Sequence, residues 1–251
     1  MHAFIVTGAS RGLGLALTEA LLADGYRVAG LARGAVDALA PLTRRYPERL
    51  IALDVDLADA AAVAPAIAAA VEQLKPADCA SLNLINNAGV VTPIAQAGHY
   101  PAEDVVRALA INLAAPMLAT DALLRASAGL KARRRILNIS SGAAAKPYPG
   151  WSVYCTTKAG LDHFSRSVAV EQAGQANAAQ IVALYPGVVD TEMQARIRGS
   201  DAEQFPQKAR FDALKADGEL STPAAAARRI VDHLLSPAFG LQAVVDIRNL
   251  G

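Results

Sequence analysis

Tyr154 and Lys158, four residues apart, are the first candidates for chemistry in this sequence. That spacing places both side chains on one face of a helix, about one turn from each other. A phenol is a weak acid with a reference pKa near ~10, and a neighbouring ammonium stabilises the phenolate and lowers that pKa. Ser141 stands thirteen residues before the tyrosine, and Ser140 competes with it for the same role. The set predicts proton donation to a carbonyl undergoing reduction, with a serine hydroxyl binding the carbonyl oxygen.

A glycine-rich loop near the start of the chain supplies a second signal, which is needed because Tyr-x-x-x-Lys also arises by chance in helices. The loop follows an apolar run at residues 3–6 and precedes another at 15–23. Strand, glycine turn and helix in that order form the setting that a dinucleotide pyrophosphate requires, since glycines allow close approach and the helix N-terminus offers free N–H groups. An ordinary glycine-rich turn is the competing interpretation. The residues predicted to border the pyrophosphate are Gly8, Ser10, Arg11, Gly12, Leu13 and Gly14.

The elements that must position these residues alternate between strand-like and helix-like runs. Strands are predicted at 3–7, 27–32, 50–53, 82–86, 135–140, 180–185 and 243–247, and helices at 13–23, 36–46, 58–74, 102–128, 151–174 and 223–235. This alternation predicts one α/β domain over residues 1–251, of the doubly wound Rossmann type, with about seven parallel strands and helices on both faces. Residues 187–221 interrupt the rhythm and are predicted to form an excursion over the substrate site.

Composition excludes several functional classes. The 251 residues are 53% hydrophobic and carry a net charge of +1, which indicates a large core and no electrostatic footprint for nucleic acid. The two cysteines and four histidines show no ligand spacing, so we expect neither a disulfide framework nor a metal site. The first strand begins at the N-terminus and no uncharged apolar run reaches ~18 residues, so we expect no signal peptide and no membrane span. These features predict a cytoplasmic protein.

Taken together, the motifs resemble the short-chain dehydrogenases/reductases. The matching residues are Thr7-Gly8-x3-Gly12-x-Gly14, Asn86-Asn87-Ala88-Gly89, Asn112, Ser141, Tyr154-x3-Lys158 and Pro186-Gly187. The resemblance implies a nicotinamide-dependent oxidoreductase in which Asn112, Ser141, Tyr154 and Lys158 form the catalytic set. Lys158 would also bind the nicotinamide ribose. Asn112 would either kink its helix and hold a water near Lys158 or be a buried side chain satisfied by backbone.

The second strand ends without the acidic residue that binds ribose hydroxyls in NAD enzymes. Arg33 follows that strand, and Arg11 lies in the glycine loop. Two guanidiniums suit a 2′-phosphate, so NADP(H) is the predicted cofactor; two solvated arginines are the alternative. The resemblance places Asp56 and Leu57 beside the adenine, with Asp54 as the competing assignment. It adds to the cofactor site Asn87, which has a purely structural role as its alternative, and Ala88, Gly89, Pro186, Gly187, Val189 and Thr191.

A narrower resemblance, to the sepiapterin and benzil reductases within the family, rests on Asn138–Ser141, Pro147, Gly150-Trp151, Tyr154-Cys155 and 186–194. It implies a bulky, aromatic ketone or diketone bound by Ser141, Tyr148, Trp151 and Met193. Asp246 would anchor a pterin, or be structural and paired with Arg248. We also expect a homo-oligomer, a dimer ahead of a tetramer. The alternatives are a non-catalytic NADPH-binding regulator, an epimerase or dehydratase, and a dehydrogenase that oxidises a secondary alcohol.

Overall fold

Seven parallel strands form one sheet in the computed structural model, which describes residues 1–75 and 78–250. They are β1 (His2–Thr7), β2 (Arg27–Ala32), β3 (Leu50–Asp54), β4 (Ser81–Asn86), β5 (Arg133–Ile139), β6 (Ala179–Tyr185) and β7 (Val244–Asp246). The sheet order β3-β2-β1-β4-β5-β6-β7 means that the chain winds outward from β1 in one direction and then from β4 in the other. The predicted Rossmann-type, doubly wound fold is confirmed. Ligands bind such sheets where this order reverses, here between β1 and β4.

Ten α-helices flank the sheet in the described residues: α1 (Gly12–Ala23), α2 (Ala35–Ala38), α3 (Ala40–Arg45), α4 (Ala60–Leu74), α5 (Ala102–Leu109), α6 (Ala115–Ala126), α7 (Ser152–Gln172), α8 (Glu192–Arg198), α9 (Lys208–Ala216) and α10 (Pro223–Leu235). The prediction of one helix at 36–46 is wrong, because α2 ends at Ala38 and α3 begins at Ala40, with Pro41 in its first turn. Proline lacks the N–H that a continuous helix would need there. The last strand is also shorter than predicted, because a 3₁₀ turn starts at Ile247.

Alternate side chains of the central strands enter two cores, one on each face of the sheet. Phe4 and Val6 of β1 pack in the core covered by α1 and α10, whereas Ala3 and Ile5 pack in the core covered by α4 and α6. This alternation is the period of two that a strand imposes on its side chains. All four residues are fully buried, as central strands of a parallel sheet covered on both faces should be.

The helical run from Ala102 to Ala126 contains a π-helical segment, Ala110–Ala114, between α5 and α6. Among the described residues, this run is the one helix long and apolar enough to cross a membrane by length and composition alone. Core helices of folded domains meet the same test, and here α6 buries Ala119 and Leu123 in the core that it shares with α4.

Residues 187–221 contain α8 and α9 rather than irregular chain. The base of the segment is closed by two backbone hydrogen bonds: Asp190 N–H donates to the Ser221 carbonyl oxygen at 2.9 Å, and Ser221 N–H donates to the Val188 carbonyl oxygen at 3.0 Å. The segment, named here the substrate flap, therefore leaves β6 and returns to the same point. It lies at the carboxyl end of the sheet, where open α/β sheets bind ligands.

Candidate active site

The glycine loop between β1 and α1 has a conformation that only glycine supports at several positions. Gly8 and Gly12 have φ angles of 68° and 55°, in the left-handed region. A Cβ atom on Gly14 would lie 2.1 Å from the Gly8 carbonyl oxygen. No side chain in the described residues caps the N-terminus of α1, so its first N–H groups stay open for an anion.

Asn87 is a brace between the two strands at the switch point. Its amide nitrogen donates to the carbonyl oxygens of Thr7 and Gly8 at 3.0 and 3.3 Å, and the Thr7 hydroxyl accepts from the backbone N–H groups of Asn87 and Ala88. These bonds fix the glycine loop against the end of β4. Ala88 and Gly89 thereby line the cavity described below. In the described residues, the Asn87 side chain donates only to backbone oxygens of the glycine loop. These bonds agree with the purely structural role that was the alternative for Asn87.

The two arginines predicted beside the cofactor occupy different environments. Arg11 donates to the Glu192 carboxylate at 2.6 Å, which joins the glycine loop to the first turn of α8. Arg33 is exposed at the end of β2 and forms no ion pair with any residue in 1–75 or 78–250. Arg33 is therefore the guanidinium free to bind a phosphate, whereas Arg11 is already engaged.

The structure also distinguishes the two aspartates beyond β3. The Asp54 carboxylate accepts from the Val36 N–H at 3.1 Å and so holds the start of α2. Asp56 and Leu57 line the cavity, and the Asp56 carboxylate accepts from the Ala58 N–H at 3.0 Å. Asp56, which also lies 3.9 Å from the Arg107 guanidinium, is therefore the one of the two aspartates that borders the cavity.

Ser141, Tyr154 and Lys158 meet where β5 ends beside α7. The Ser141 hydroxyl lies beside the Tyr154 phenol and acts to lower the phenol's pKa, and it accepts from the Ala143 N–H at 3.2 Å. The Lys158 ammonium donates to the Ile139 carbonyl oxygen at 2.8 Å and lies 5.8 Å from the centre of the Tyr154 ring. Both long side chains are buried, with 7% of Tyr154 and 4% of Lys158 exposed. A phenol, a hydroxyl and an ammonium therefore share one enclosed site.

Burial controls the proton affinities of this group. It raises the pKa of Tyr154 to about 12, although the Ser141 hydrogen bond works in the opposite direction. It lowers the pKa of Lys158 to about 8, opposed by the Asp162 carboxylate. In the protein alone, desolvation of the phenolate outweighs the effects that lower the Tyr154 pKa, and the lowering by Lys158 stays a prediction. The phenol stays protonated at neutral pH.

Ser140, the competitor of Ser141, borders the cavity, but its hydroxyl is bonded to a buried carboxylate. Its hydroxyl donates to Asp162 at 2.6 Å, and 3% of the residue is exposed. Successive residues of an extended chain point to opposite faces. Ser141 is consequently the serine beside Tyr154.

Asn112 lies in the π-helical segment, where the regular α-helical hydrogen-bond pattern is interrupted. Its side chain pairs with the backbone of Val90: the amide oxygen accepts from the N–H at 2.8 Å and the amide nitrogen donates to the carbonyl oxygen at 2.8 Å. The amide nitrogen also donates to the Thr157 hydroxyl at 3.2 Å. Asn112 thus links the chain just after β4 to α7, the helix that carries Tyr154. Protein groups satisfy the hydrogen-bonding atoms of its side-chain amide.

An aromatic cluster forms the wall opposite the glycine loop. The Trp151 ring stacks on Phe205 of the substrate flap at 4.6 Å between centroids, and it contacts Phe211, Tyr148 and Tyr154 at 5.2 to 5.5 Å. A Cβ on Gly150 would lie 2.2 Å from the Gln204 carbonyl oxygen, so the flap packs closely here. The contacts of Phe205 and Phe211 with Trp151 were not predicted, because they depend on how the flap folds back.

Asp246 lines the cavity, but Arg248 occupies its carboxylate. The Arg248 guanidinium donates to both carboxylate oxygens, with its shortest contact at 2.6 Å. Hydrogen bonding from Arg248 is the main reason that the pKa of Asp246 falls below its ordinary value. The pairing that the sequence left as an alternative is the one observed.

One cavity of about 820 Å³ connects these features. It runs from the glycine loop and Arg33, past Ser141, Tyr154 and Lys158, to Trp151 and Met193. The remaining predicted cofactor residues, Pro186, Gly187, Val189 and Thr191, also line it. Arg210 of α9 lines the same cavity, and its guanidinium donates to the Tyr148 hydroxyl at 3.5 Å. Among the described residues, no cluster of His, Cys, Asp and Glu could hold a metal ion.

Comparisons with known proteins give a consistent relationship. The chain matches the short chain dehydrogenase family over residues 2–202. It is 37% identical to "Benzil reductase ((S)-benzoin forming)" of Bacillus cereus over 247 residues, or 98% of this chain and 99% of that protein. Sepiapterin reductase of Meriones unguiculatus is 33% identical over 256 residues, covering 96% and 94%. A crystal structure of an actinorhodin polyketide ketoreductase variant with NADPH superimposes with a TM-score of 0.81 at 26% identity, covering 98% and 95%.

Proposed function

This chain belongs to the short-chain dehydrogenase family, and we propose that it is an NADPH-dependent reductase of bulky aromatic ketones or vicinal diketones. One observation carries the proposal: a single cavity joins a dinucleotide-type glycine loop, a buried Ser–Tyr–Lys set and an aromatic wall. The similarity to a benzil reductase over nearly the whole chain supports the same substrate class. The regulator alternative is not favoured, since Ser141, Tyr154 and Lys158 are all present and adjacent.

The residues of the glycine-loop end fit a dinucleotide phosphate. The uncapped N-terminus of α1 would bind the pyrophosphate, and the free Arg33 guanidinium would bind the 2′-phosphate of NADPH. Tyr154 and Lys158 would hold the nicotinamide ribose, and Asp56 and Leu57 would border the adenine. Bound NADPH supplies the hydride that the carbonyl carbon accepts.

The protein groups supply the proton and its stabilisation. Ser141 donates a hydrogen bond to the substrate carbonyl oxygen, and the Tyr154 phenol then donates its proton to that oxygen. Because burial raises the Tyr154 pKa to about 12, the phenol holds its proton in the resting enzyme at neutral pH. The Lys158 ammonium stabilises the phenolate that forms during the transfer.

The aromatic wall sets the substrate class. Trp151, Tyr148 and Phe211 offer ring faces and edges against which a flat aryl group can pack. Since Arg248 neutralises Asp246, a pterin amino group would have to displace that ion pair. We therefore place benzil-like diketones ahead of pterins as substrates.

A side-by-side assay tests the substrate proposal. NADPH consumption would be followed with benzil, sepiapterin and a small aliphatic ketone, and Asp246→Asn would be assayed beside the wild type. We expect benzil turnover that Asp246→Asn changes little. Strong sepiapterin turnover lost in Asp246→Asn would overturn the order of substrates, and brisk turnover of the aliphatic ketone alone would refute the aromatic substrate class.

We also propose that residues 1–251 act as one cytoplasmic unit that forms a homodimer. Large apolar side chains lie exposed on the helices that would pair: Val106 on α5, Met117 on α6 and Val170 on α7 are 67%, 41% and 77% exposed. A closed two-fold dimer is the commonest assembly, and it would remove these side chains from water.

A further inference from the structure

A second polar group lies behind the proposed active site, centred on Asp162 of α7. Only 3% of Asp162 is exposed. The Ser140 hydroxyl donates to one carboxylate oxygen at 2.6 Å, and the Tyr185 hydroxyl donates to the other at 2.5 Å. An ionised carboxylate only accepts hydrogen bonds, so a side chain that accepts from two hydroxyl groups fits this form. The bonding therefore favours a negatively charged Asp162 in the interior.

Asp162 follows Lys158 by one helical turn, and Lys158 follows Tyr154 by one turn. Residues four apart lie on the same side of a helix, so the three side chains form one row. The Lys158 ammonium in the middle of this row is almost completely buried. A buried ammonium tends to lose its proton unless an opposite charge lies close to it.

Two effects on the Lys158 pKa compete. Burial lowers it to about 8, and the charge of Asp162 raises it. Asp162 is the one charged group in the described residues that acts in this direction on Lys158. Other charges near the network act on Tyr185 rather than on Lys158: Arg166 of α7 and Asp246 at the end of β7. Tyr154 stays neutral, because burial raises its pKa.

We propose that Asp162 is a positioning residue that keeps the Lys158 ammonium charged, and that Ser140 and Tyr185 hold the Asp162 carboxylate in place. The catalytic value of this charge rests on the proposed function, because it is the charge that would stabilise the Tyr154 phenolate. The titration of Lys158 is a property of the folded protein itself, so it can be tested separately from turnover.

The test is an NMR titration of protein with ¹³C-labelled lysine, recorded without cofactor or substrate. The Lys158 signal is identified by its loss in Lys158→Met. In Asp162→Asn we expect the Lys158 pKa to fall by roughly one unit or more, the effect of losing one nearby opposite charge. Tyr185→Phe is the graded comparison: it removes one of the two hydroxyl donors but leaves the carboxylate and its Ser140 bond, so its Lys158 pKa should fall by less than that of Asp162→Asn. An unchanged Lys158 pKa in folded Asp162→Asn would overturn the proposal.

A measurement on the wild type needs no variant. The Asp162 carboxyl ¹³C signal should remain that of a carboxylate at pH 7, and a protonated Asp162 there would overturn the proposal even if Asp162→Asn does not fold. In turnover, a fall of one unit in the Lys158 pKa from about 8 should make Asp162→Asn lose roughly fivefold more activity at pH 8 than at pH 6. A uniform loss across pH would contradict the proposed link, whereas absence of turnover in the wild type would refute the proposed function alone.

Discussion

Replacement of the buried Lys158 by methionine should stabilise the protein at neutral pH while abolishing its proposed activity. The pKa of Lys158 falls from 10.5 in its ordinary environment to about 8 in the folded protein. Each pKa unit corresponds to ~1.4 kcal/mol, so the roughly 2.5-unit difference makes the buried ammonium cost about 3 kcal/mol of folding free energy at pH 7. Methionine has a similar length and removes that cost.

The gain in folding stability of Lys158→Met is reduced by a lost hydrogen bond, and it depends on pH. Nζ of Lys158 donates to the Ile139 carbonyl oxygen at 2.8 Å, and its loss should cost ~1–2 kcal/mol, which leaves a net gain of about 1–2 kcal/mol at pH 7. From pH 8 to 10.5 the unfolded chain holds a proton that folded Lys158 has released. The stability contributed by this residue therefore rises with pH across that window in the wild type, and Lys158→Met lacks the rise.

Urea unfolding at several values from pH 7 to about pH 9.5 measures the difference. Trp151, the single tryptophan of the chain, reports on the site by fluorescence. Tyr154 adds an opposite trend only above pH 10, because its pKa is raised from 10.0 to about 12. We expect the advantage of Lys158→Met to shrink steadily with pH, whereas Lys146→Met, at an exposed lysine, should run parallel to the wild type. A constant difference between Lys158→Met and wild type would refute the reasoning.

Four further predictions concern the proton donor, the cofactor, the flap and the assembly. Tyr154→Phe should lower kcat by roughly 10²–10⁴-fold with NADPH binding retained, as measured by turnover and by cofactor fluorescence titration; wild-type kcat would place the proton donor elsewhere. Arg33→Ala should weaken kcat/KM for NADPH by about 10- to 100-fold and leave NADH unaffected; an unchanged ratio would remove Arg33 from the 2′-phosphate site. Gly150→Ala should destabilise the protein by at least ~2 kcal/mol in urea unfolding, because φ is 83° and the new Cβ would meet the Gln204 carbonyl oxygen; unaltered stability would mean that the flap does not pack there. The wild type should sediment at twice 26.0 kDa and Met117→Asp at 26.0 kDa; a monomeric wild type at micromolar concentration would contradict the dimer.

The sequence was sufficient where a local pattern determines the structure. Gly8, Gly12 and Gly14 follow an apolar strand and precede a helix, and Gly8 and Gly12 adopt positive φ angles that glycine permits. The spacing of Tyr154 and Lys158 fixes their relative position, because a helix repeats every 3.6 residues. The buried parallel strands were located within one or two residues for the same reason, since their apolar runs are continuous.

The sequence patterns did not predict contacts between segments that are distant along the chain. The Arg11–Glu192 ion pair joins residues 181 positions apart, and no periodicity indicates it. The aromatic wall requires Phe205 and Phe211 to return to Trp151, which depends on how α8 and α9 pack. The same limit applies to the electrostatics: the net rise in the Tyr154 pKa comes from the full enclosure of the phenol, which the spacing of Tyr154 and Lys158 does not reveal.

The direction of the backbone determines which of the adjacent residues Ser140 and Ser141 lies beside Tyr154. Both hydroxyls follow β5, and their residue type gives no preference between them. Extended backbone sends successive side chains to opposite sides, so one serine must face Tyr154 and the other must face the interior. The Ser140 hydroxyl donates to the Asp162 carboxylate of α7 at 2.6 Å. Ser141 is therefore the serine whose hydroxyl lies beside the Tyr154 phenol. A shift of one residue in β5 would exchange the two hydroxyls, and the position of the buried carboxylate therefore helps to fix which serine the substrate would meet.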